Sequence, residues 1–309
     1  MSTIIVSNLT KIYKRSLRPQ SGLLKDLFRR DVEEVIGVDG VSFFVEPGEF
    51  VGYVGLNGAG KTTTMKIMAG ILHPTSGEVQ VLGHAPWRRE RDFLKRIGFV
   101  MGQKRQLWWD LPAADVFEFL KVVYELDDAR YRRTLGEMTE LLRAGDLLHV
   151  PVRNLSLGER TKVELIAALL HDPEIVFLDE PTLGLDVLAQ RALRSFFAEY
   201  NRRYGKTMLL TTHTLSDVES LCQRVIIIHQ GKILRDGSLS GLLGEYGQQR
   251  VLHVTLEQNG VLLERQIEVD SSQTGKVLQE LASTGRIVEF REEKLSLEDV
   301  IARMLGEDR

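Results

Sequence analysis

The stretch GLNGAGKTT, from Gly55 to Thr63, follows an apolar, β-rich run and precedes a helix-like run. A strand, a glycine-rich turn and a helix in this order are typical of a phosphate-binding loop, and the spacing Gly55-x4-Gly60-Lys61-Thr62 fits that pattern. The glycines let backbone N–H groups approach phosphate oxygens, and the helix N-terminus adds partial positive charge. Lys61 is then expected to reach the β- and γ-phosphates, and Thr62 to offer its hydroxyl to Mg²⁺. A glycine-rich turn without a ligand is the alternative.

The composition is that of an ordinary globular protein. The chain has 309 residues, a formal net charge of -3, and 43% hydrophobic and 27% charged residues, which is enough for one large and one small domain. This charge gives no general attraction to nucleic acid. The single cysteine, Cys222, excludes an internal disulfide and favours a reducing compartment. No apolar run approaches the roughly 18 residues of a membrane span, so we expect a cytosolic chain or one held on a membrane by a partner.

Two carboxylates end a strongly apolar run. The run from Glu174 to Glu180 predicts a buried parallel strand. In open α/β sheets, ligands bind at the carboxyl ends of such strands. We expect Asp179 to hold Mg²⁺ through water, and Glu180 to orient or deprotonate an attacking water. The alternative is a pair of solvated acids after a strand.

Two further polar positions accompany these motifs. A predicted strand at 207–212 ends at His213, beside the expected phosphate site, so a γ-phosphate contact is favoured over a purely structural histidine. The turn at 154–159, which contains Ser156 and Gly158, precedes a largely buried helix. A Ser/Gly turn at a helix N-terminus is a second anion-binding site, although an ordinary N-cap has the same pattern.

The N-terminal part carries an aromatic residue and a basic insert. Thr3 to Leu9 predicts a short strand, and Tyr13 beyond it is either a surface aromatic or a stacking platform for a base. Residues 15–34 interrupt this pattern, and between Arg15 and Arg30 they include five basic residues and one acidic residue. Apolar residues at helical spacing give the insert one apolar face. That face suits a membrane surface or a partner helix, and equally a solvated loop with one core-packed turn.

A strand pattern beginning at Ile97 ends in a polar amide, Gln103, and two adjacent tryptophans follow closely. Exposed tryptophans are costly, so Trp108 and Trp109 belong either to the core or to a docking surface for a partner. The Leu-, Glu- and Arg-rich region from there to about residue 143 predicts helix.

The pattern changes near Ser238. From Arg250 onward, the runs predict the order β-β-α-β-α in an appendix of about 60 residues, the size of a marginal independent domain. We therefore place one domain at 1–238 and a small C-terminal α+β domain at 239–309.

In their order along the chain, from Thr3 to about Asp236, these motifs resemble those of the ATP-binding subunit of an ATP-binding-cassette (ABC) transporter. Leu155–Glu159 resembles the signature motif, and Gly184–Asp186 resembles the D-loop. The signature usually reads Leu-Ser-Gly-Gly-Gln, and this chain has leucine and glutamate in place of the first glycine and the glutamine. The resemblance implies an α/β fold of the P-loop NTPase type. Its parts are a RecA-like core, an antiparallel β subdomain and a helical subdomain at about 104–171.

The resemblance also implies ATP and Mg²⁺ as cofactors and a role for each motif residue. Tyr13 stacks on adenine, Gln103 senses Mg²⁺ and the γ-phosphate next to the transporter contact, and His213 is the switch histidine. The implied ATP-binding residues are Tyr13, Gly55, Asn57, Gly58, Gly60, Lys61, Thr62, Thr63, Ser156 and Gly158. The implied catalytic residues are Glu180, His213 and Gln103, and the implied Mg²⁺ ligands are Thr62, Gln103 and Asp179.

The partners are likewise expectations from the resemblance. Two copies of the chain would sandwich two ATP molecules, each between the phosphate-binding loop of one copy and the signature helix of the other. A separate integral-membrane permease of the ABC-2 type would use this closure for export, with the chain peripheral on the cytoplasmic face of the cell membrane. No nucleic acid is expected. A soluble regulatory or nucleic-acid-linked ABC ATPase and an importer ATPase are the alternatives.

Overall fold

A computed structural model gives the fold, and it describes residues 3–16, 32–102, 106–245, 249–258 and 260–304. The chain divides into two compact units, Met1–Asp236 and Gly237–Arg309. Most of the predicted insert, and the predicted site residue Gln103, lie outside the described residues.

Strands and helices are interspersed along the chain. The strands are β1 (Ile4–Ser16), β2 (Val32–Val45), β3 (Phe50–Val54), β4 (Ser76–Val81), β5 (Ile97–Met101), β6 (Ile175–Asp179), β7 (Thr207–Thr211), β8 (Arg224–His229), β9 (Lys232–Ser238), β10 (Gln249–Gln258), β11 (Val261–Asp270) and β12 (Arg286–Lys294). The helices are α1 (Lys61–Met68), α2 (Arg91–Leu94), α3 (Ala113–Val123), α4 (Asp128–Leu142), α5 (Leu157–Leu169), α6 (Val187–Tyr204), α7 (Leu215–Leu221), α8 (Leu239–Glu245), α9 (Thr274–Thr284) and α10 (Leu297–Met304). Short 3₁₀ helices lie at Pro86–Arg88, Gly145–Leu147 and Val152–Asn154.

A six-stranded sheet in the order β5-β6-β7-β3-β8-β9 forms the centre of the first unit. Its neighbouring pairs from β5 to β8 are parallel. Strands β3 and β7 are buried along their whole length, as expected for a parallel sheet covered on both faces. In this sheet Met101, Asp179 and Thr211 are in register at the carboxyl ends of β5, β6 and β7. The loops that follow these strands and β3 therefore emerge at one edge.

An antiparallel sheet in the order β2-β1-β4 lies in the same unit. Strand β1 is longer than the predicted strand ending at Leu9, and its ladder with β2 continues to the pair Ser16↔Val32. The two ends of the predicted insert, 15–34, therefore belong to the β1–β2 ladder, which corrects that boundary. The ladder continues because apolar side chains face each other beyond the first bulges, as in the pair Ile12↔Ile36.

The helical region between β5 and β6 consists of separate helices. α3 and α4 both pack on α5, and α5 packs on β5. The predicted continuous helical region breaks after α3, where Glu125 has a φ of 55°, and α4 restarts with Asp127 as its N-cap.

The second unit has the predicted β-β-α-β-α order from β10 to α10. Its sheet has the order β11-β10-β12, and both pairings are antiparallel. Leu252, Val254 and Leu256 of β10 form a core with Leu281 of α9. Alternate residues of the central strand thus supply the buried face.

Candidate nucleotide-binding and hydrolysis site

The turn between β3 and α1 requires glycine at several positions. Gly58 and Gly60 have φ values of 78° and 107°, in the left-handed region that side chains disfavour. A Cβ at Gly55 would lie 2.0 Å from the carbonyl oxygen of Ile228, and one at Gly60 would lie 2.3 Å from that of Gly37. The loop is therefore closely packed against its neighbours. Its tip, which includes Asn57, remains exposed.

Lys61 lies inside this loop and is only 5% exposed. Its Nζ donates hydrogen bonds to the carbonyl oxygens of Gly55, at 2.7 Å, and Leu56, at 3.0 Å. Burial lowers the pKa of Lys61, and the carboxylates of Glu180 and Asp179 oppose that shift. The ammonium group is thus held by the loop carbonyls and attracted by the two acids, where a bound triphosphate would meet it.

Asp179 links the loop to the neighbouring strands. Its Oδ1 accepts a hydrogen bond from Thr62 Oγ1 at 3.0 Å and another from Thr211 Oγ1 at 2.6 Å. A hydroxyl and a carboxylate so close together are oxygen ligands of the kind that Mg²⁺ prefers. Among the described residues there is no group of three or more His, Cys, Asp or Glu side chains able to hold a metal. The hydroxyl of Thr62 and the carboxylate of Asp179 fit a Mg²⁺ ion that would take its other ligands from phosphates and water.

Glu180 and His213 are in direct contact. The carboxylate Oε1 of Glu180 lies 2.5 Å from Nε2 of His213. The backbone of Glu180 has a φ of 54°, and its N–H donates to Thr211 O at 2.9 Å. Such strained non-glycine positions are concentrated at functional sites. A Cβ at Gly102 would lie 1.9 Å from Glu180 O, so only glycine fits beside this carbonyl.

Tyr13 reaches the same site from the antiparallel sheet. Its hydroxyl lies 3.0 Å from Thr63 Oγ1, in the first turn of α1. The ring lies across Gly37, where a Cβ would come within 2.7 Å of Tyr13 Cε2. Tyr13 is 37% exposed, and the ammonium of Lys11 lies over its ring, 5.5 Å from the centroid. The exposed part of the ring is available for a base to stack on.

Ser156 and Gly158 have different neighbours. Ser156 caps α5 in a capping box: its N–H and Oγ–H donate to Glu159 Oε2 at 2.9 and 2.8 Å, and its Oγ accepts from Glu159 N at 3.3 Å. These hydrogen bonds, from the Ser156 hydroxyl first, lower the pKa of Glu159. A Cβ at Gly158 would lie 3.4 Å from Ala189 Cβ, so this helix start packs against α6.

The predicted site residues thus form one connected group and one separate pair. Thr62 joins the phosphate-binding loop to Asp179, and Thr211 joins Asp179 to the backbone of Glu180, whose side chain contacts His213. Tyr13 joins through Thr63. Ser156 and Gly158 are held by Glu159 and Ala189 instead. Thr211 and Gly102 also belong to the connected group, and sequence analysis missed both. Strand register alone shows that Thr211 is level with Asp179.

The chain matches known proteins in both sequence and structure. Residues 38–183 match the sequence profile of the ABC transporter family. The ABC transporter ATP-binding protein NatA of Bacillus subtilis is 33% identical over 222 residues, which are 71% of this chain and 90% of NatA. The chain belongs to the ABC transporter ATP-binding proteins. The Nod factor export ATP-binding protein I of Paraburkholderia xenovorans is 34% identical to this ABC protein over 229 residues, 73% of each chain.

A solved structure has the same fold as this ABC protein. It is a dimeric, post-hydrolysis ATP-binding cassette bound to ADP and Pi, with a TM-score of 0.63 and 24% identity. The match covers 76% of this chain and 98% of that one. As a member of the family, this ABC protein is an ATPase that binds ATP as the subunit of a transporter. None of its described helices is both long and apolar enough to cross a bilayer.

Proposed function

We propose that two copies of this ABC ATPase clamp two ATP molecules between them and power export through a separate permease of the ABC-2 type. The observation that carries the proposal is that the two anion-binding helix starts have different hydrogen-bond partners. The start of α1 is joined to Asp179 by the Thr62 hydrogen bond, whereas Ser156, at the start of α5, is bonded to Glu159. A second copy supplies the missing Ser156 and Gly158 to each triphosphate, in the two-fold arrangement usual for homodimers.

The roles of the catalytic residues follow from their contacts. The loop N–H groups and Lys61 bind the β- and γ-phosphates, and Thr62 and Asp179 hold Mg²⁺, which neutralises charge on the phosphate oxygens when bound. Glu180 orients the attacking water and accepts its proton. His213, 2.5 Å from Glu180, fixes that carboxylate and faces the γ-phosphate. Gln103, which follows β5, completes the proposed Mg²⁺ and γ-phosphate contacts.

The adenine contact is assigned to Tyr13. Its ring is partly exposed to solvent, and its hydroxyl is within hydrogen-bond distance of Thr63 Oγ1. An aromatic ring held in this way stacks on a base at little entropic cost. Tyr13 therefore lies at the base end of the nucleotide and the phosphate-binding loop at the other.

An exposed apolar surface on the helical region suits the permease. Trp108 is 50% exposed and packs edge-on against Phe119, with ring centroids 4.9 Å apart. Val122 on the same helix as Phe119 is 73% exposed. A groove of about 420 Å³, whose lining includes Leu107 and Leu120, lies in the same region. Contiguous exposed apolar surface of this kind is typical of a partner site, so we assign Trp108 to docking.

Export is favoured over import by the relatives. The relative from Paraburkholderia is named for Nod factor export. The C-terminal β-β-α-β-α unit resembles the appendix of exporters with ABC-2-type permeases, which supports the same assignment.

The proposal is tested with Glu180→Gln in the full chain. The variant should bind ATP, lose turnover and accumulate as an ATP-dependent dimer in analytical ultracentrifugation. A Glu199→Gln control on the α6 surface should hydrolyse ATP as the parent does. Turnover at the parent rate by Glu180→Gln, or a monomer with bound ATP, contradicts the proposal.

The permease is tested by co-purification. Membranes should retain the full chain together with a multi-span protein, and Trp108→Ala should release it without loss of basal ATPase activity. Retention unaffected by Trp108→Ala would remove this surface from the proposal, and the absence of any membrane partner would favour the soluble regulatory alternative.

A further inference from the structure

A fully buried carboxylate lies behind the hydrolytic pair. Asp217, in α7, has 0% exposure. Its Oδ1 accepts from Arg194 Nε at 2.5 Å, and its Oδ2 accepts from Thr182 Oγ1 at 2.6 Å and Thr212 Oγ1 at 3.2 Å. A buried charge is tolerated only when it is paired and hydrogen-bonded, and these donors satisfy both oxygens. An acidic residue exposed to solvent at the start of a helix would need none of these hydrogen-bond donors.

The two threonines connect Asp217 to the residues that carry the chemistry. Thr182 follows Glu180 by two positions, and Thr212 immediately precedes His213. Thr212 Oγ1 also accepts from the N–H of Thr214 at 2.9 Å, which fixes the backbone on both sides of the histidine. One carboxylate oxygen of Asp217 thus ties together the two chain segments whose side chains meet at 2.5 Å.

The other carboxylate oxygen of Asp217 accepts a hydrogen bond from Arg194, a residue of α6. Arg194 is 20% exposed at its side chain and donates to Asp217, and its Nη2 donates to Gln190 Oε1 at 3.3 Å. Because the guanidinium is planar and held at two points, it fixes the carboxylate in one orientation. The Asp217 carboxylate therefore has a fixed orientation, in which its other oxygen accepts hydrogen bonds from both threonines.

We infer that Asp217 is a positioning residue for ATP hydrolysis, which holds the segments of Glu180 and His213 at the separation the reaction needs. The inference rests on the proposed roles of that pair. Asp217 touches neither the phosphate-binding loop nor Tyr13 in any of its hydrogen bonds, so its loss should act on turnover and leave nucleotide binding intact. A displacement of about 1 Å at a catalytic group costs on the order of 100-fold in rate.

The test uses the full chain and the smallest changes. Thr182→Val removes one hydroxyl donor at a site that is 2% exposed and keeps the shape, and Thr182→Ser restores the donor. Asp217→Asn leaves one acceptor oxygen in place of two, so either the two threonines or Arg194 must face an NH2 group that cannot accept a hydrogen bond. Thr207→Val is the matched control, because Thr207 is 3% exposed, accepts from Gly48 N at 2.9 Å and begins β7 at the end away from His213.

The readouts are kcat and KM for Mg-ATP, with thermal unfolding of each variant. Thr182→Val and Asp217→Asn should lower kcat by about tenfold or more and change KM by less than about twofold. Thr182→Ser should recover most of the lost kcat, and Thr207→Val should lose stability but keep kcat. Equal losses of stability for Thr182→Val and Thr207→Val with kcat unchanged, or a parallel rise in KM, overturn the inference.

The outcomes also separate this inference from the proposed function. If Asp217→Asn does not fold, the comparison of Thr182→Val with Thr182→Ser still tests the inference, because Thr182→Val removes only a single hydroxyl. If Glu180→Gln hydrolyses ATP like the parent, the proposed function fails whatever Asp217 does. If Glu180→Gln is inactive and Thr182→Val is fully active, the inference alone is wrong.

Discussion

The hydroxyl of Thr62 donates a hydrogen bond to the carboxylate of Asp179 at 3.0 Å, although 117 residues separate the two along the chain. This contact brings the loop after β3 against the end of β6, two strands away in the sheet order. The sheet therefore brings the phosphate-binding loop and the acid at the end of β6 together.

We predict that Thr62→Val lowers Mg²⁺-dependent ATP hydrolysis and leaves nucleotide binding without Mg²⁺ unchanged. Valine has nearly the shape of threonine but offers no oxygen to a metal or to Asp179. We expect kcat/KM for Mg-ATP to fall by about 100-fold, the upper end of the loss for residues that only support a metal ligand, because Thr62 is itself a proposed ligand. ATP measured with EDTA should bind as in the parent. Titration of activity with Mg²⁺ checks this, and Thr62→Ser, which keeps the hydroxyl, should behave like the parent. An unchanged Mg²⁺ dependence in Thr62→Val would exclude this threonine as a ligand.

We predict that Gly37→Ala weakens ATP binding through Tyr13. Its Cβ would come within 2.7 Å of the Tyr13 ring, which must shift because the strand backbone cannot. The base then loses its stacking surface, and ATP affinity should fall roughly tenfold, since stacking on an aromatic ring contributes about 1–3 kcal/mol per base. Calorimetric titration with ATP and with inorganic tripolyphosphate separates base from phosphate binding. Tyr13→Phe, which keeps the ring, is the control, and an equal loss of tripolyphosphate binding in Gly37→Ala would contradict the prediction.

Local sequence patterns predicted the parts of the site that lie within single segments. The phosphate-binding loop needs a turn between a strand and a helix, and the apolar run before Asp179 needs burial on both sides, so each is encoded by its own neighbours. The length of β1 was not predicted, because bulges between Val6 and Ile12 interrupt the alternation of apolar and polar residues. The predicted domain boundary at 238 and the individual site roles stay predictions.

The sequence alone could not predict contacts between residues that are far apart in the chain. In the sequence, Asp217 has the pattern of an exposed acid in the first turn of a helix. Only the fold shows that it is buried and hydrogen-bonded to Thr182, Thr212 and Arg194. Glu159 is the exception. The spacing Ser-x-x-Glu before an apolar helix is itself a capping-box signal, and Glu159 keeps a cap that the glutamine of the usual signature can also form.

We predict that His171 makes stability depend on pH below neutrality. It is 3% exposed and stacked on Tyr124, and burial lowers its pKa from 6.5 to about 4. The unfolded chain therefore binds a proton that the folded chain does not, so stability falls as pH drops from about 6.5 towards 4. The contribution is on the order of 3 kcal/mol at the low end of that window, at 1.36 kcal/mol per unit.

The comparison with His171→Gln isolates this effect from other titrating groups. Glutamine can still donate to the Ile97 carbonyl that His171 Nε2 contacts at 2.9 Å, and it does not titrate. Urea unfolding at pH 7 and pH 5 should show a smaller loss of stability for His171→Gln than for the parent. Parallel pH profiles would mean that the imidazole is not kept neutral by the fold.

The last prediction concerns Glu159, whose carboxylate accepts hydrogen bonds from the hydroxyl and the N–H of Ser156. In the proposed dimer these same groups meet the γ-phosphate of the partner's ATP, so the carboxylate competes with the phosphate and repels it. Glu159→Gln removes the charge but keeps an oxygen for the cap. We expect the ATP-dependent dimer, measured in the Glu180→Gln background, to tighten about tenfold, since one charge removed next to another changes binding by about 1–2 kcal/mol.

The second unit supplies a matched control. Asp299 forms the same capping box with Ser296 at the start of α10, with Ser296 Oγ donating at 2.6 Å and Ser296 N at 3.0 Å. Asp299→Asn should lower helix stability by about as much as Glu159→Gln, roughly 0.5–1 kcal/mol for a weakened N-terminal cap, and leave dimerisation unchanged. Equal dimer constants for the two variants would show that Glu159 only caps its helix. A weaker dimer in Glu159→Gln alone would show that the carboxylate helps to present Ser156 to the phosphate.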